Sequence, residues 1–207
     1  MLTRSLPGSV TCLLDRFRGC FTAPTFATFC GLAVGFWAQP GLHTVTGMLC
    51  GARLEQAWHH TRAHRFFSAA RWSPDQLGLC LLEVIVGLLV PTGAPVRLVC
   101  DDTLYRRSGR RVFGAAWHHD PLGVGRRAVA WANAWVVLGV LVDLPFCRRP
   151  VCLPILARLW RPHHTAGRLE LCCELVQLVC GHLGDRRVDL VCDGAYAGRA
   201  CASCPGR

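Results

Sequence analysis

The chain has 207 residues, of which 52% are hydrophobic and 17% are charged, and this composition excludes an intrinsically disordered protein. Its 23 basic residues are all arginine and outnumber the 13 acidic residues, which gives a net charge of +10. A surface with this excess attracts polyanions, and nucleic acid is the commonest large polyanion. Ribosomal, membrane-surface and RNA-binding proteins share this signature, so the charge alone does not select DNA.

The 14 cysteines do not predict a disulfide scaffold, because several lie inside apolar runs, where a thiol behaves as a small hydrophobic side chain. The N-terminal residues lack the continuous apolar core of a secretory signal, and we expect a reduced, cytoplasmic compartment. The terminal CASC has zinc-knuckle spacing at Cys201 and Cys204, but no second pair follows it. We therefore interpret both thiols as incidental.

The two most apolar windows are residues 77–91 and 135–146. Both are shorter than the roughly 18 residues that a membrane-spanning helix requires, and each contains a carboxylate, Glu83 or Asp143. They predict a buried helix and a buried strand, and no contact with a membrane.

Residues 1–92 lack strand alternation and predict a helical N-terminal domain that binds DNA. Ser73 is placed to cap a helix, Pro74 follows at its first position, and the apolar periodicity continues through Leu89. Upstream, residues 43–72 predict one or two short helices in which arginine, histidine and aromatic residues alternate. This mixture suits phosphate contact and base stacking, with Arg62 and Arg65 as candidates, but it is equally typical of an ordinary basic helix with an aromatic core face.

Residues 93–207 predict an α/β domain. A helix that leads into a closing strand indicates a parallel crossover onto the sheet. In chain order we predict strands at Val96–Cys100, 110–117 and 131–146, a mixed segment broken by prolines at 149–167, a helix at 168–185, and a last strand at Val188–Cys192.

Two of these strands end in acidic residues, in LVCDDT and LVCDGAY. If the strands lie side by side and parallel, Asp102 and Asp193 converge at one edge of the sheet, where α/β proteins bind ligands. Two neighbouring carboxylates repel each other unless a cation lies between them. Such oxygen ligands suit Mg²⁺ or Mn²⁺ and phosphoryl transfer. The alternative is that both acids merely cap strand ends and begin turns.

Several segments together resemble the DDE-type bacterial insertion-sequence transposases. The resemblance rests on VCDDTLYRRSGRRVFGAAWHHD, WANAWVVLGVLVDLPF, VDLVCDGAY and HRFFSAARWS, and it covers roughly residues 15–200. It implies a ribonuclease H-like catalytic domain with a three-acid site that holds Mg²⁺ or Mn²⁺. It further implies cleavage at transposon ends and joining of the freed 3′-hydroxyl to target DNA, in a bacterial protein associated with the nucleoid.

The resemblance carries over to particular residues. It makes Asp193 the second acid, and its Asp-Thr pair selects Asp102 as the first. Strand alternation places Asp101 on the opposite face from Asp102, so we expect Asp101 to orient a metal-bound water or to cap the turn. The family implies double-stranded DNA as partner, both transposon end and target, and a homodimer that brings two ends together.

The third acid of such a site is a glutamate on a helix after the fourth strand. Glu170 and Glu174 precede Asp193, and no Tyr-x-x-Arg-x-x-x-Glu signature occurs in the sequence. We therefore expect a truncated or interrupted transposase that is inactive alone. An alternative is a catalytically dead remnant that occupies transposon ends, and a third is a structural nucleic-acid-binding protein.

Four arginines follow the first acidic strand and are candidate phosphate contacts, although a solvated loop is the alternative. They are Arg106, Arg107, Arg110 and Arg111. Of the three histidine pairs, His118–His119 stands beside Asp120 and could approach the site, whereas adjacent histidines seldom bind one metal. The tryptophans at 117, 131 and 135 are interpreted as core residues.

Overall fold

The structure is a computed structural model that describes residues 6–41, 44–120, 123, 128–162 and 166–196. The His163–His164 pair and the two terminal cysteines, Cys201 and Cys204, lie outside the described residues. The chain forms two compact units, Met1–Cys80 and Leu81–Arg207. No helix among the described residues is long and apolar enough to cross a membrane.

The first unit is helical, as predicted. Its helices are α1 (Gly8–Asp15), α2 (Ala23–Ala38), α3 (Val45–Gly51), α4 (His60–Ser68) and the first part of α5 (Pro74–Leu89). The side chain of Thr44 caps α3 by accepting a 3.0 Å hydrogen bond from the backbone N–H of Gly47. Ser73 Oγ accepts a 3.2 Å bond from the N–H of Gln76 and caps α5, as predicted. One cluster of buried residues in this unit contains Leu32, Leu49, Leu54, Ala63 and Phe66.

Helices α2 and α3 approach each other at glycines. A Cβ atom on Gly35 would lie 1.7 Å from the backbone oxygen of Met48, and one on Gly51 would lie 2.5 Å from the backbone oxygen of Gly35. No side chain fits at either position without moving backbone, so the absence of a side chain is what permits this packing.

The second unit contains a five-stranded sheet and α6 (Arg168–Leu183). Its strands are β1 (Val96–Arg106), β2 (Ala116–His119), β3 (Val129–Val142), β4 (Val151–Trp160) and β5 (Val188–Cys192). One edge of β3 pairs antiparallel with β1, and the other pairs antiparallel with β2 and then with β4. On its far side β1 pairs in parallel with β5, which is the predicted crossover through α6. The predicted α/β class is confirmed.

One face of this sheet packs under α6. Leu98 of β1, Leu138 of β3 and Leu156 of β4 are buried on it, and Leu175 and Val179 of α6 are buried against it. Because side chains alternate between the two faces along β1, Asp102 points to the same side as Leu98, whereas Asp101 points to the opposite side.

Three strand predictions were wrong. β1 does not end at Cys100 but runs through the acidic pair to Arg106, because β3 pairs with it along this whole length. The segment 149–167 is not broken by prolines, since it contains β4. There, Pro154 lies at an irregularity in the register on an edge strand, where a missing N–H is tolerated. The strand predicted at 110–117 begins only at Ala116, because the residues before it form turns that include Gly114 at φ 68°.

The glycine contact yields a stability prediction. Gly35→Ala should lower the free energy of unfolding by about 1–3 kcal/mol, because the added methyl group meets the backbone of α3. Gly87→Ala is the matched control near the end of another 16-residue helix, where a Cβ would meet nothing within 4 Å. Alanine has the better helix propensity, so this control should be neutral or stabilising by up to about 1 kcal/mol. Equal effects in thermal or urea unfolding would contradict the proposed close packing.

Candidate active site

The parallel pairing of β1 with β5 brings two acidic positions to one edge of the sheet. Cys100 lies opposite Cys192, so Asp101 and Asp193 are the next residues on the two adjacent strands. At this point β5 ends, and Asp193 leads into a 3-10 turn, Gly194–Tyr196. The backbone oxygen of Asp193 accepts a 2.9 Å hydrogen bond from the N–H of Tyr196. The expected side-by-side arrangement of the two strands is therefore observed.

Both oxygens of the Asp102 carboxylate are engaged. Arg168, the first residue of α6, donates from Nη1 to Oδ2, and Tyr196 donates from its hydroxyl to Oδ1. The guanidinium of Arg168 also lies 4.5 Å from the centroid of the Trp160 ring on β4, in a cation–π contact. Asp102 thus links β1 to α6 and to the turn after β5, and Arg168 extends this contact to β4.

Tyr196 keeps its proton in this arrangement. Burial raises the pKa of its hydroxyl, and the hydrogen bond to the negatively charged Asp102 raises it further. The hydroxyl can therefore act only as a donor to the carboxylate near neutral pH. Its position follows from the turn that begins at Asp193, so the residue after the second acid helps to hold the first.

Asp101 differs from Asp102 in its surroundings. It is exposed on the opposite face of β1, and its Oδ1 accepts a 2.7 Å hydrogen bond from the backbone N–H of Asp102. Asp102 is the more enclosed of the two, with 23% of its side chain exposed.

His118 of β2 faces the same side of the sheet as Asp102. It is 5% exposed, its ring lies 5.5 Å from that of Trp160, and its Nε2 has no hydrogen-bond partner among the described residues. Burial lowers the pKa of His118, and the positive charge of Arg168 lowers it further. The imidazole is therefore neutral at pH 7, whereas the second histidine of the pair, His119, is exposed.

The two glutamates of α6 form bonds away from Asp102. Glu170 Oε2 accepts a 2.8 Å hydrogen bond from the N–H of Gly167 at the start of α6, and Glu174 forms a 2.8 Å ion pair with Arg158 of β4. Across the described ranges, no group of three or more His, Cys, Asp or Glu side chains is arranged to hold a metal ion.

The carboxylates nevertheless fit a divalent cation in kind and charge. Mg²⁺ is commonly held by one or two carboxylates together with water and substrate phosphate. Here Asp193, directly after β5, lies beside the acidic pair of β1. Asp102 already attracts a cationic group, the guanidinium of Arg168. The third carboxylate of the expected three-acid site is not found beside these aspartates in the described residues.

The arginines after β1 divide into two kinds. Arg106 donates two hydrogen bonds, of 2.9 and 2.6 Å, to the buried carboxylate of Asp120, although 69% of its own side chain is exposed. Arg107 donates a 2.7 Å bond to Asn133, which is also buried. Both side chains thereby fasten the loop that follows β1.

Arg110 and Arg111 lie on this loop and are exposed. The amide of Asn133 donates a 3.0 Å bond to the backbone oxygen of Phe113, and the indole of Trp131 donates a 2.9 Å bond to that of Gly109. The two exposed arginines therefore stand on a loop that is fixed to β3 on both sides of them.

Arg62 and Arg65 lie in the helical unit, at the rim of an open cleft of about 590 Å³. Arg62 Nε donates a 3.0 Å hydrogen bond to Thr28, and its guanidinium stacks 3.8 Å from the centroid of the Trp58 ring. Its planar group is thereby held in place while remaining exposed. The cleft is lined by Pro24, Thr25, Thr28, Thr61, Arg62, Arg65, Phe66, Ala69 and Ala70.

The sequence reading did not single out Arg168, Tyr196 or Trp160. Tyr196 was visible in the motif DGAY, three residues after Asp193, but nothing local indicates that its hydroxyl returns to β1. Arg168 reaches Asp102 only because α6 crosses the sheet, so its contact depends on the tertiary fold. His118 was noted as able to approach the site, and it lies on the face that carries Asp102.

The chain matches the DDE superfamily endonuclease family over residues 16–187. This is most of its length, and the chain therefore belongs to that family of transposase-type, DNA-processing nucleases. The five-stranded mixed sheet with its helices is consistent with the expected ribonuclease H-like fold. Endonucleases of this superfamily generally depend on divalent metal ions.

The matched residues include Asp102 and Arg168 and end just before β5 and Asp193. No curated protein and no solved structure matched the chain.

The lowered pKa of His118 predicts a dependence of stability on pH. The unfolded chain binds a proton at His118 near the ordinary value of 6.5, whereas the folded chain resists it. His118 therefore contributes its full share to the free energy of unfolding above pH 6.5. That free energy should fall as the pH drops below 6.5. His118→Asn should flatten urea-unfolding stability between about pH 7 and pH 5.

His119→Asn, at the exposed neighbour, is the control and should keep the dependence of the wild type. If His118→Asn retained the full slope while His119→Asn removed it, the assignment of the buried, neutral histidine would be contradicted.

Proposed function

We propose that this protein is a transposase whose catalytic domain cleaves DNA at transposon ends and transfers the freed strand to target DNA, with Asp102 and Asp193 as ligands of Mg²⁺ or Mn²⁺. The observation that supports it best is the parallel pairing of β1 with β5, which places Asp193, the residue directly after β5, beside the acidic pair of β1. The family of the chain supports the reaction class.

The residues of the site have separate roles in this proposal. A bound divalent ion would supply Lewis-acid stabilisation of charge on the phosphodiester and its attacking oxygen. Asp102, held by the hydroxyl of Tyr196, and Asp193, at the turn after β5, present their carboxylates to it. Asp101, on the outer face of β1, is proposed to orient a water molecule.

Phosphate contact is proposed for two groups of arginines. Arg110 and Arg111 stand on a fixed loop after β1, and Arg106 keeps much of its surface exposed despite its bond to Asp120. Arg107 completes this group by holding the loop through Asn133. Guanidinium groups on a fixed backbone suit phosphate because little side-chain freedom is lost on binding.

The second group lies in the helical N-terminal domain, for which we propose residues 1–92 and a DNA-binding role. Arg62 is held by Thr28 and stacked on Trp58, and Arg65 lies at the same cleft, where three threonine hydroxyls are also present. Threonine hydroxyls and arginines are common contacts to the DNA backbone. We further propose that an active complex contains two copies of the chain, one for each transposon end.

The missing third carboxylate bears on whether the chain can cleave DNA by itself. The proposed site has two of the three expected carboxylates, and Glu170 and Glu174 are bonded elsewhere. We propose that the chain binds metal and DNA but does not cleave alone. The second candidate is a remnant that binds transposon ends without any use for metal, and it is favoured by the engagement of both Asp102 oxygens.

Metal binding tests the proposed site. Asp102→Asn and Asp193→Asn should each weaken Mn²⁺ binding to the full chain by at least about 100-fold, measured by electron paramagnetic resonance, because each removes a charged ligand. Asp101→Asn should have a smaller effect. Asp143→Asn is the control, because this exposed aspartate pairs with Arg97 on the same sheet and should change nothing.

The result that would overturn the site is Mn²⁺ binding that is unaffected by both Asp102→Asn and Asp193→Asn. Nicking assays on DNA with the terminal repeats give a second readout: nicking that survives both substitutions would also contradict the assignment. Tight DNA binding with no response to Mn²⁺ would favour the remnant.

A further inference from the structure

We propose that Arg168 is a built-in cation at Asp102, which occupies the place of a divalent ion and must leave before that ion binds. This inference rests on the proposed function, because it concerns the same carboxylate. It adds a residue that controls metal loading, supplied by the first turn of α6.

The contacts of Asp102 leave little room for another cation. Arg168 donates to Oδ2 and Tyr196 donates to Oδ1, so an ion that binds at Oδ2 must do so beside the guanidinium charge. Arginine does not lose its proton in proteins, so its charge cannot be removed by ionisation. A guanidinium and a divalent ion on the same carboxylate would repel each other. Movement of the arginine is the remaining route.

Arg168 is the donor that can move. Its side chain is 41% exposed, whereas Tyr196 is 5% exposed and lies on the turn that follows Asp193. Displacing Tyr196 would disturb the position of the second acid, whereas rotating Arg168 into solvent leaves the backbone of both strands in place. Tyr196 would therefore continue to orient Asp102 after Arg168 has left.

Trp160 determines where Arg168 rests in the metal-free state. Its ring lies 4.5 Å from the guanidinium carbon and supports the side chain over the sheet, close enough for a cation–π contact. The ring of the neutral, buried His118 lies 5.5 Å from that of Trp160 and adds no competing positive charge. The guanidinium is therefore directed at Asp102 by packing as well as by charge.

A purely structural salt bridge between α6 and β1 would have a different consequence. Its loss would destabilise the fold and would either weaken Mn²⁺ binding or leave it unchanged. Competition for Asp102 instead predicts that removing the guanidinium tightens Mn²⁺ binding. Metal affinity therefore separates the two roles without an activity assay.

The test is Mn²⁺ binding by the full chain carrying Arg168→Gln, measured by isothermal titration calorimetry. We expect about a tenfold gain in affinity, the size expected for release of one hydrogen-bonded charge from the carboxylate. Arg158→Gln is the matched control. It also removes one positive charge from the α6 face of the sheet, but its partner is Glu174, so it should change affinity much less.

Further variants distinguish the inference from the proposed function. In the Asp102→Asn background, Arg168→Gln should give no gain, because the shared ligand is absent. Arg168→Lys keeps the positive charge at α6 and should bind Mn²⁺ more weakly than Arg168→Gln. Comparing these two variants keeps the test decisive if the loss of the arginine disturbs folding. Equal affinities for Arg168→Gln and Arg158→Gln would overturn the role of Arg168. Mn²⁺ affinity that is unchanged by Asp102→Asn would instead overturn the metal site itself.

Discussion

The parallel hydrogen bonding of β1 with β5 is the constraint on which the rest of the site depends. It brings Asp193, which directly follows β5, beside the acidic pair of β1, and it can form only because α6 carries the chain back across the sheet. β5 stops at Cys192 while β1 continues, so the two acids stand where one strand has lost its neighbour. Backbone pairing, not side-chain attraction, therefore sets where Asp193 lies relative to the acidic pair of β1.

The negative charge of Asp102 is offset by its hydrogen-bond partners. Arg168 and Tyr196 come from the two elements that flank the crossover, the start of α6 and the turn after β5. The fold that assembles the acids thus also delivers the donors that stabilise one of them. A partly enclosed carboxylate without such partners would be costly. On the proposed function, a divalent ion would compete with these contacts, so the donors that stabilise Asp102 would oppose metal binding there.

Local signals in the sequence were enough for α5, α6 and β5. Ser73 and Pro74 mark the start of α5, and Gly184, at φ 60°, follows the end of α6. The extension of β1 to Arg106 and the strand β4 depend on pairing with β3, which no local pattern reports. Asp102 and Asp193 could be named because both follow apolar strands. Arg168 could not, because its contact with Asp102 exists only after α6 has packed on the sheet.

On the proposed function, Asp102 and Asp193 share one cation site where β5 ends beside β1. Anomalous diffraction from crystals of the full chain grown with Mn²⁺ tests it most directly, since it locates the ion without any assay of activity. We predict one strong peak bridging the two carboxylates, with Arg168 turned away from Asp102 and Tyr196 still bonded to it. A peak elsewhere, with the Arg168–Asp102 pair intact at saturating Mn²⁺, would contradict the account.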